Sequence, residues 1–144
     1  MIFNEDLIPV AHRFNDIDCG LSADEKLFLS FLSKDLAGFI WNKYVSSSVH
    51  LSLLQPSDFA FKAKKIDELA WEDCSKGIEI FLKLLANTNL VICLWGPECA
   101  CILPVNIFIK AWDDFFYPSD ESTVLVIPEK EKVIYVFNGD LFHT

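Results

Sequence analysis

The chain has 144 residues, the usual size of one domain, and its 21 acidic residues outnumber its 12 basic ones, for a formal net charge of -9. This excess of negative charge repels phosphate and excludes a function that depends on nucleic acid binding. No stretch of about 18 apolar residues is present, so we expect no membrane span. The acidic start, MIFNED, is unlike a secretory signal. We therefore expect one cytoplasmic domain that spans residues 1–144.

The acidic excess is concentrated at the two ends of the chain. Residues 1–35 contain seven acids and three bases, residues 90–144 contain eight and three, and residues 36–89 contain six of each. Arg13 is the only arginine. Hydrophobic residues make up 52% of the chain, which is enough to build a core without disulfides. The charge distribution predicts a partner that is basic.

The first half of the chain predicts helices. Residues 1–20 are expected to be irregular, with one short strand near residues 7–10. Ser22 and Glu25 form a capping box, which predicts a helix whose apolar stripe follows at helical spacing. The stripe consists of Leu27, Phe28, Phe31 and Leu32. A second helix begins at Ser33 or Asp35 and ends near Tyr44, and residues 49–54 could form a short strand.

The second half predicts one long helix and then mainly strands. Residues 72–86 form an amphipathic helix with Ile78, Phe81, Leu82 and Leu85 on one side. Residues 90–95 read as a strand that returns through residues 99–103, and a helix follows from Pro104 to Phe116. Residues 124–127 and 133–137 predict a second hairpin, with a last short piece at residues 141–143.

This order of elements predicts an α+β fold. We expect N-terminal helices packed on a C-terminal antiparallel sheet of about four to five strands, interrupted by one helix. The predicted strands are apolar on both faces. Either helices cover both sides of the sheet, or one face is left for a partner.

The residue types that carry catalysis or bind metal do not form a recognisable motif. Cys99 and Cys101 are separated by one residue, whereas paired zinc ligands favour a gap of two, so we interpret both as buried thiols of an apolar strand. None of the three histidines lies in a nucleophile or metal motif. We therefore expect no metal, no cofactor and no enzymatic activity. A small hydrolase whose catalytic residues are dispersed in the sequence is a remaining alternative.

Acidic residues form two candidate binding groups. The first group, with its interleaved aromatic residues, is Trp112, Asp113, Asp114, Phe115, Phe116, Tyr117, Asp120 and Glu121. The second group is Asp16, Asp18 and Asp24. Such carboxylates could be a solvated helix end, an acid–base pair or a surface that meets lysines and arginines. Aromatic side chains ringed by charge are more typical of a protein-binding hot spot than of a hydrolase cleft.

This profile resembles the immunity proteins of bacterial toxin systems, such as those paired with contact-dependent growth inhibition toxins, which are small, acidic, cytosolic and non-catalytic. The resemblance implies a cognate toxin domain with a basic surface as the partner, of the nuclease class. Segment 21–41, in which a capped acidic helix precedes a Leu-Ala…Trp helix, is also similar to a family of uncharacterised small bacterial proteins. The alternative is a non-catalytic adaptor or regulatory domain, and the oligomeric state stays open.

Overall fold

The protein is an α+β fold built around one large antiparallel sheet, and the computed structural model describes residues 2–144. The strands are β1 (Ser30–Phe31), β2 (Lys64–Glu68), β3 (Leu90–Trp95), β4 (Ala100–Pro104), β5 (Thr123–Ile127), β6 (Lys132–Phe137) and β7 (Asp140–His143). The helices are α1 (Ala11–Asn15), α2 (Ala23–Lys26), α3 (Lys34–Tyr44), α4 (Cys74–Leu84), α5 (Val105–Lys110) and α6 (Trp112–Phe115).

The seven strands lie in the order β1-β4-β3-β5-β6-β7-β2, and every neighbouring pair is antiparallel. The predicted α+β class is confirmed. The sheet is larger than the four to five strands expected, because β1 and β2 come from the N-terminal half of the chain and form the two edge strands of the sheet. The expected division into N-terminal helices and C-terminal strands is therefore only approximate.

The first predicted helix is shorter than its apolar stripe suggested. The capping box of Ser22 and Glu25 is present, but α2 ends at Lys26, and Leu27 and Phe28 are exposed. Phe31, predicted on the same helix, instead lies in β1 opposite the β4 strand. Pairing with a sheet edge and aromatic packing outweighed local helix propensity at this point.

Helices cover both faces of the sheet, which was the first of the two alternatives. In β3, Val91 and Cys93 face the core formed with α1, α4, α5 and α6. Ile92 and Leu94 face the opposite core, which contains the helix α3 and its buried Trp41. The alternation of side chains along a strand explains why the continuous apolar run of β3 is buried on both sides.

The helix predicted from Pro104 to Phe116 is broken in two. Ala111 departs from helical geometry with φ -123° and ψ 34°, which separates α5 from α6. The Trp112 ring then packs over Gly77 of α4, where an added Cβ would lie 2.3 Å from ring carbons. Its indole N–H donates to the Cys74 carbonyl over 3.0 Å. The break and this packing fix the direction in which α6 presents its two aspartates.

Two segments that were predicted as possible short strands are not strands. Residues 7–10 form turns that lead into α1 rather than a strand, and residues 49–54 contain a single 3-10 turn, Leu51–Leu53. The second hairpin, β5 with β6, and the last strand β7 are confirmed. None of the helices within residues 2–144 has the length and apolar character needed to cross a membrane.

Candidate functional site

The first turn of α6 presents two carboxylates that connect three distant parts of the chain. The Cys74 thiol at the start of α4 donates to Asp113 Oδ2 over 2.9 Å. The Gly20 amide donates to Asp114 Oδ2 over 2.8 Å. Because these contacts join α4, α6 and the loop after α1, Asp113 and Asp114 of the first predicted group lie beside Asp16 of the second.

The charges of the two groups interact through Asp114. Burial raises the pKa of the Asp114 carboxyl, and the negative charges of Asp113 and Asp16 raise it further, although the Gly20 amide opposes this shift. Asp16 is in turn joined to Asp18, whose amide donates to Asp16 Oδ1 over 2.8 Å. Asp114 is therefore a carboxylate that its own neighbours destabilise in the charged form.

We define the acidic face as the surface formed by the carboxylates around α6. Its members are Asp113 and Asp114 of α6, Asp16 and Asp18 of the loop after α1, and Asp73, whose charge acts on Cys74 together with those of Asp113 and Asp114. Within residues 2–144, none of the five forms a salt bridge. Three of them are exposed, and the two in α6 are half-buried. The face therefore presents negative charge that no cation of the described chain neutralises by direct contact.

Two thiols lie within the acidic face. The hydrogen bond to Asp113 raises the pKa of Cys74 to about 11, and burial adds to the shift. Burial is the main cause of the raised pKa of Cys19, and the charge of Asp114 adds to it. Both thiols stay protonated near neutral pH, which is the opposite of what a nucleophilic cysteine requires.

The charge of Asp120, a predicted contact residue, is already paired within the protein. Both terminal nitrogens of Arg13 donate hydrogen bonds to its carboxylate, at 2.6 Å and 2.9 Å, and its side chain is 13% exposed. The Tyr117 amide and the Thr123 hydroxyl also donate to it. Arg13, the only arginine of the chain, thus neutralises the charge of Asp120 within the fold.

The aromatic part of the predicted surface is mostly core. Phe116 is 1% exposed, and Trp112 and Phe115 are fully buried, so none of the three can contact a partner directly. They pack against Phe81 and Phe108 beneath the sheet. The structure places Phe116, a predicted contact residue, in the core, because burial of its apolar ring is more favourable than exposure beside the charges.

Tyr117 is the aromatic residue of this group that reaches the surface. It is half-buried, and its ring lies 3.9 Å from the guanidinium carbon of Arg13. Burial raises the pKa of its phenol, and the charges of Asp114 and Asp16 also raise it, although Arg13 opposes them. Tyr117 therefore links the buried ion pair below it to the acidic face beside it.

Glu121 and Asp24 lie apart from the acidic face. Glu121 is exposed at the rim of a shallow cavity of about 280 Å³ that also contains Arg13 and His50. Asp24 is exposed in the first turn of α2, a helix that a 2.7 Å ion pair between Glu25 and Lys110 ties to α5. Among residues 2–144, neither acid forms a hydrogen bond to the acidic face.

The cavity beside Glu121 contains a histidine–serine contact. His50 Nδ1 lies 3.2 Å from the Ser122 hydroxyl oxygen, and that hydroxyl donates to the Val49 carbonyl over 3.0 Å. A hydroxyl has one proton, so while Ser122 donates to the Val49 carbonyl it can only accept from His50, in the tautomer that has its proton on Nδ1. A serine nucleophile needs the reverse direction, in which the histidine removes the proton.

The three cysteines of the β3–β4 hairpin lie in the core. Cys93 and Cys101 are opposite each other in the ladder, and Cys99 precedes β4. Burial is the main cause of the raised pKa of all three thiols. Within the described residues, no three His, Cys, Asp or Glu side chains are arranged to hold a metal ion.

Several residues of the site were not predicted from the sequence. Arg13, Cys19, Gly20 and Cys74 all contact the predicted aspartates from distant positions. One signal was available, since a single arginine in an acidic chain is expected to find a carboxylate partner. The Gly20 contact with Asp114 joins positions 94 residues apart and has no local signal.

Comparison with known proteins gives one match. No curated protein and no solved structure matches the chain. A family model described as "Protein of unknown function (DUF2947)" matches residues 8–142, a span that includes α1, the acidic face and almost all of the sheet. The chain therefore belongs to the DUF2947 family.

Proposed function

We propose that this protein is an immunity protein that binds and neutralises a basic bacterial toxin domain of the nuclease class through the acidic face. The observation that supports the proposal is the meeting of Asp16 and Asp18 with Asp113 and Asp114 on one surface. Five carboxylates there form no salt bridge within residues 2–144. Such a surface is complementary to a cationic one.

The physical argument starts from what a nuclease needs. Its cleft must hold phosphate groups, so it presents lysine and arginine side chains. A protein that offers several carboxylates at similar spacing can fill that cleft in place of the nucleic acid. Long-range attraction speeds the encounter, and the half-buried Tyr117 supplies an aromatic contact beside the charges.

A cation also relieves the repulsion within the acidic face. The charged form of Asp114 is disfavoured by burial and by its acidic neighbours, and a lysine or arginine from a partner would reverse the second effect. Binding and charge compensation are therefore coupled at this residue.

An adaptor with a non-toxic basic partner would use the same surface. The identity of the partner therefore distinguishes the adaptor function from the immunity function.

A catalytic function has one supporting observation, the contact between His50 and Ser122 in the cavity near Glu121. The direction of the Ser122 hydrogen bond opposes it, and the cavity is shallow. The small-hydrolase alternative therefore has weaker support than binding. It predicts a turnover that is lost in Ser122→Ala, whereas the binding function predicts that this variant keeps full affinity for its partner.

The experiment that tests the proposal is capture of the partner. The purified chain is immobilised and exposed to a lysate of the organism that encodes it, at low and at high salt, and retained proteins are identified by mass spectrometry. We expect one basic protein, retained at low salt, that is toxic when expressed alone and harmless when coexpressed with this chain. A retained basic protein without toxicity would replace the immunity function by the adaptor function.

The acidic face itself is tested by charge reversal. We expect the triple change Asp16→Lys, Asp18→Lys and Asp113→Lys to lower the association rate with that partner by about tenfold or more at low salt. The salt dependence of the rate should fall with it. The measurement is stopped-flow or surface-plasmon kinetics over a range of ionic strength.

A matched control keeps the net charge equal to that of the triple variant. The changes Asp35→Lys, Glu79→Lys and Glu131→Lys reverse three exposed acids outside the acidic face. We expect this control to reduce the association rate much less than the first variant. Equal reduction by both variants would mean that only the total charge matters, and the acidic face would lose its assigned role.

A further inference from the structure

One end of the sheet is formed by a strand whose outer edge is open. β2 pairs with β7 on one side, and among residues 2–144 no strand lies along its other side. All five of its residues are exposed, including Ile66 at 45%. An open edge of this length presents unpaired backbone groups and is a ready surface for another chain.

The charges of β2 change sign at its centre. Its sequence is Lys-Lys-Ile-Asp-Glu, so the two lysines precede Ile66 and the two acids follow it. If a second copy of β2 runs antiparallel to the first about Ile66, the basic half of each copy faces the acidic half of the other. A parallel arrangement would instead place like charges together, which is destabilising.

The register of β2 makes each face of this strand self-complementary. Lys64 and Asp67 pair with His143 and Leu141, which lie on one face because they are two positions apart in β7. Lys65 and Glu68 pair with the alternate β7 residues and lie on the other face. Each face therefore contains one cation and one anion, and a two-fold axis brings each cation to the anion of the other copy.

We propose that two copies of this chain associate through the outer edges of β2 in an antiparallel, two-fold symmetric arrangement with Ile66 at the axis. An antiparallel pairing about Ile66 puts Lys64 of one copy level with Glu68 of the other, but the bulge places Lys64 on the same face as Asp67. Lys64 of each copy and Asp67 of the other are therefore same-face neighbours, offset by one position along the strands. Lys65 and Glu68 are the equivalent neighbours on the opposite face. The inference does not depend on the acidic face or on the toxin partner.

The wider surroundings of β2 favour contact between copies. Residues 36–89, which contain β2 and α4, hold six acids and six bases, so this region lacks the negative excess that repels two copies elsewhere. A groove of about 290 Å³ between β2 and α4 adds apolar surface beside Ile66, from Ile80 and Leu84. The neutral, partly apolar edge is thus where two chains of net charge -9 can approach.

The geometry also predicts a closed and weak dimer. A bulge at Ile66 interrupts the ladder with β7, so a backbone ladder across the edge is short and the side chains must select the partner. Association of β2 with the opposite edge would give open fibres, but that edge is the two-residue strand β1. We therefore expect a reversible dimer that forms with rising concentration.

The test is sedimentation equilibrium of the full chain up to about 1 mM protein, at low salt and at high salt. Lys64 and Asp67 are suited to charge reversal, because neither forms a salt bridge within residues 2–144. We expect Lys64→Glu and Asp67→Lys each to weaken dimerisation by about tenfold or more, since each creates two like-charge contacts across the axis. An equimolar mixture of the two variants should restore the dimer, because every contact then joins opposite charges.

A control pair lies near the other end of the sheet. Lys34 and Glu98 form an exposed ion pair of 3.3 Å near β4, and Lys34→Glu and Glu98→Lys make the same changes in net charge. We expect these controls to dimerise like the unaltered chain. Thermal unfolding of every variant checks that each is folded. A monomer at all concentrations, or a dimer that persists in both β2 variants, would overturn the proposal.

Discussion

Asp120, in the buried ion pair with Arg13, and Asp114, in the acidic face beside it, have pKa values shifted in opposite directions. Burial alone would raise the pKa of Asp120, but hydrogen bonds from Arg13, the Tyr117 amide and Thr123 hold it below its ordinary value. Burial raises the pKa of Asp114, and nearby acids raise it further. The two residues are six positions apart in the sequence.

The difference shows that a count of acidic residues does not measure the charge available to a partner. Asp120 has an internal cation and stabilises the fold, whereas Asp114 forms no ion pair within residues 2–144 and contributes repulsion. A basic partner can gain from the second kind of carboxylate and not from the first. The function proposed for the acidic face rests on this distinction.

The largest expected effect on stability comes from breaking the ion pair between Arg13 and Asp120. Arg13→Met leaves the Asp120 carboxylate buried without its cation, and we expect a loss of about 3–5 kcal/mol in the free energy of unfolding. The change also removes the hydrogen bond from Arg13 to the Phe115 carbonyl, 3.1 Å long. Urea denaturation followed by tryptophan fluorescence measures the loss.

The double variant Arg13→Met with Asp120→Asn separates the lost charge pair from the lost packing. We expect it to be more stable than Arg13→Met alone, because the uncompensated charge is gone. If Arg13→Met costs less than about 1 kcal/mol, the pair behaves like an exposed salt bridge, and the contrast with the acidic face disappears.

Local patterns were sufficient to predict the centre of the sheet. The apolar run of β3 was predicted with the bounds that the structure shows, Leu90–Trp95, and the hairpin of β5 and β6 followed from its two apolar runs. The strand β2 was missed, because Lys64–Glu68 has no apolar alternation and is exposed at every position. Its strand conformation comes from pairing with β7, which no local pattern encodes.

The candidate site was predicted in part for the same reason. The sequence identified Asp113 and Asp114 as surface carboxylates beside a helix, and both remain accessible. It could not separate them from Asp120 or Phe116, since burial depends on the break at Ala111 and on packing against distant residues. Charge is read from a sequence directly, but the partner of each charge is a property of the fold.

The second expected effect tests whether the acidic face depends on the packing of α4 against α6. Gly77→Ala would place a methyl group 2.3 Å from the Trp112 ring, and we expect this overpacking to cost about 1–3 kcal/mol. The shift of Trp112 should move Asp113 and lower affinity for a basic partner. Denaturation and binding kinetics on the same preparation measure both effects.

Gly38→Ala is the control for this change. Gly38 also lies in a helix, α3, but an added Cβ there would be 3.5 Å from its nearest neighbour, the Pro97 carbonyl. We expect no loss of stability and a gain of up to about 1 kcal/mol from the better helix former. If both variants lose stability equally, the close approach of Trp112 to Gly77 is not what fixes α6.

The smallest expected change in stability comes from removing the charge of Asp114 in the acidic face. Asp114→Asn removes the disfavoured charge and keeps an amide oxygen that can accept from the Gly20 N–H. We expect the variant to be more stable than the unaltered chain at neutral pH. Asp18→Asn, which removes the same charge from an exposed position, should change stability by less than about 0.5 kcal/mol.

The pH dependence of this gain follows from the direction of the Asp114 shift. Because the pKa of Asp114 is raised in the folded protein, the folded state binds more protons than the unfolded state between the two pKa values. The unaltered chain therefore loses stability as the pH rises through that window, and Asp114→Asn does not. The advantage of the variant should be absent below the window, grow across it and stay constant above it. Thermal unfolding of both proteins between about pH 3 and pH 8 measures this. A gain that persists unchanged at the acidic limit would show that the charge of Asp114 is not its cause, and the repulsion assigned to the acidic face would then lie elsewhere.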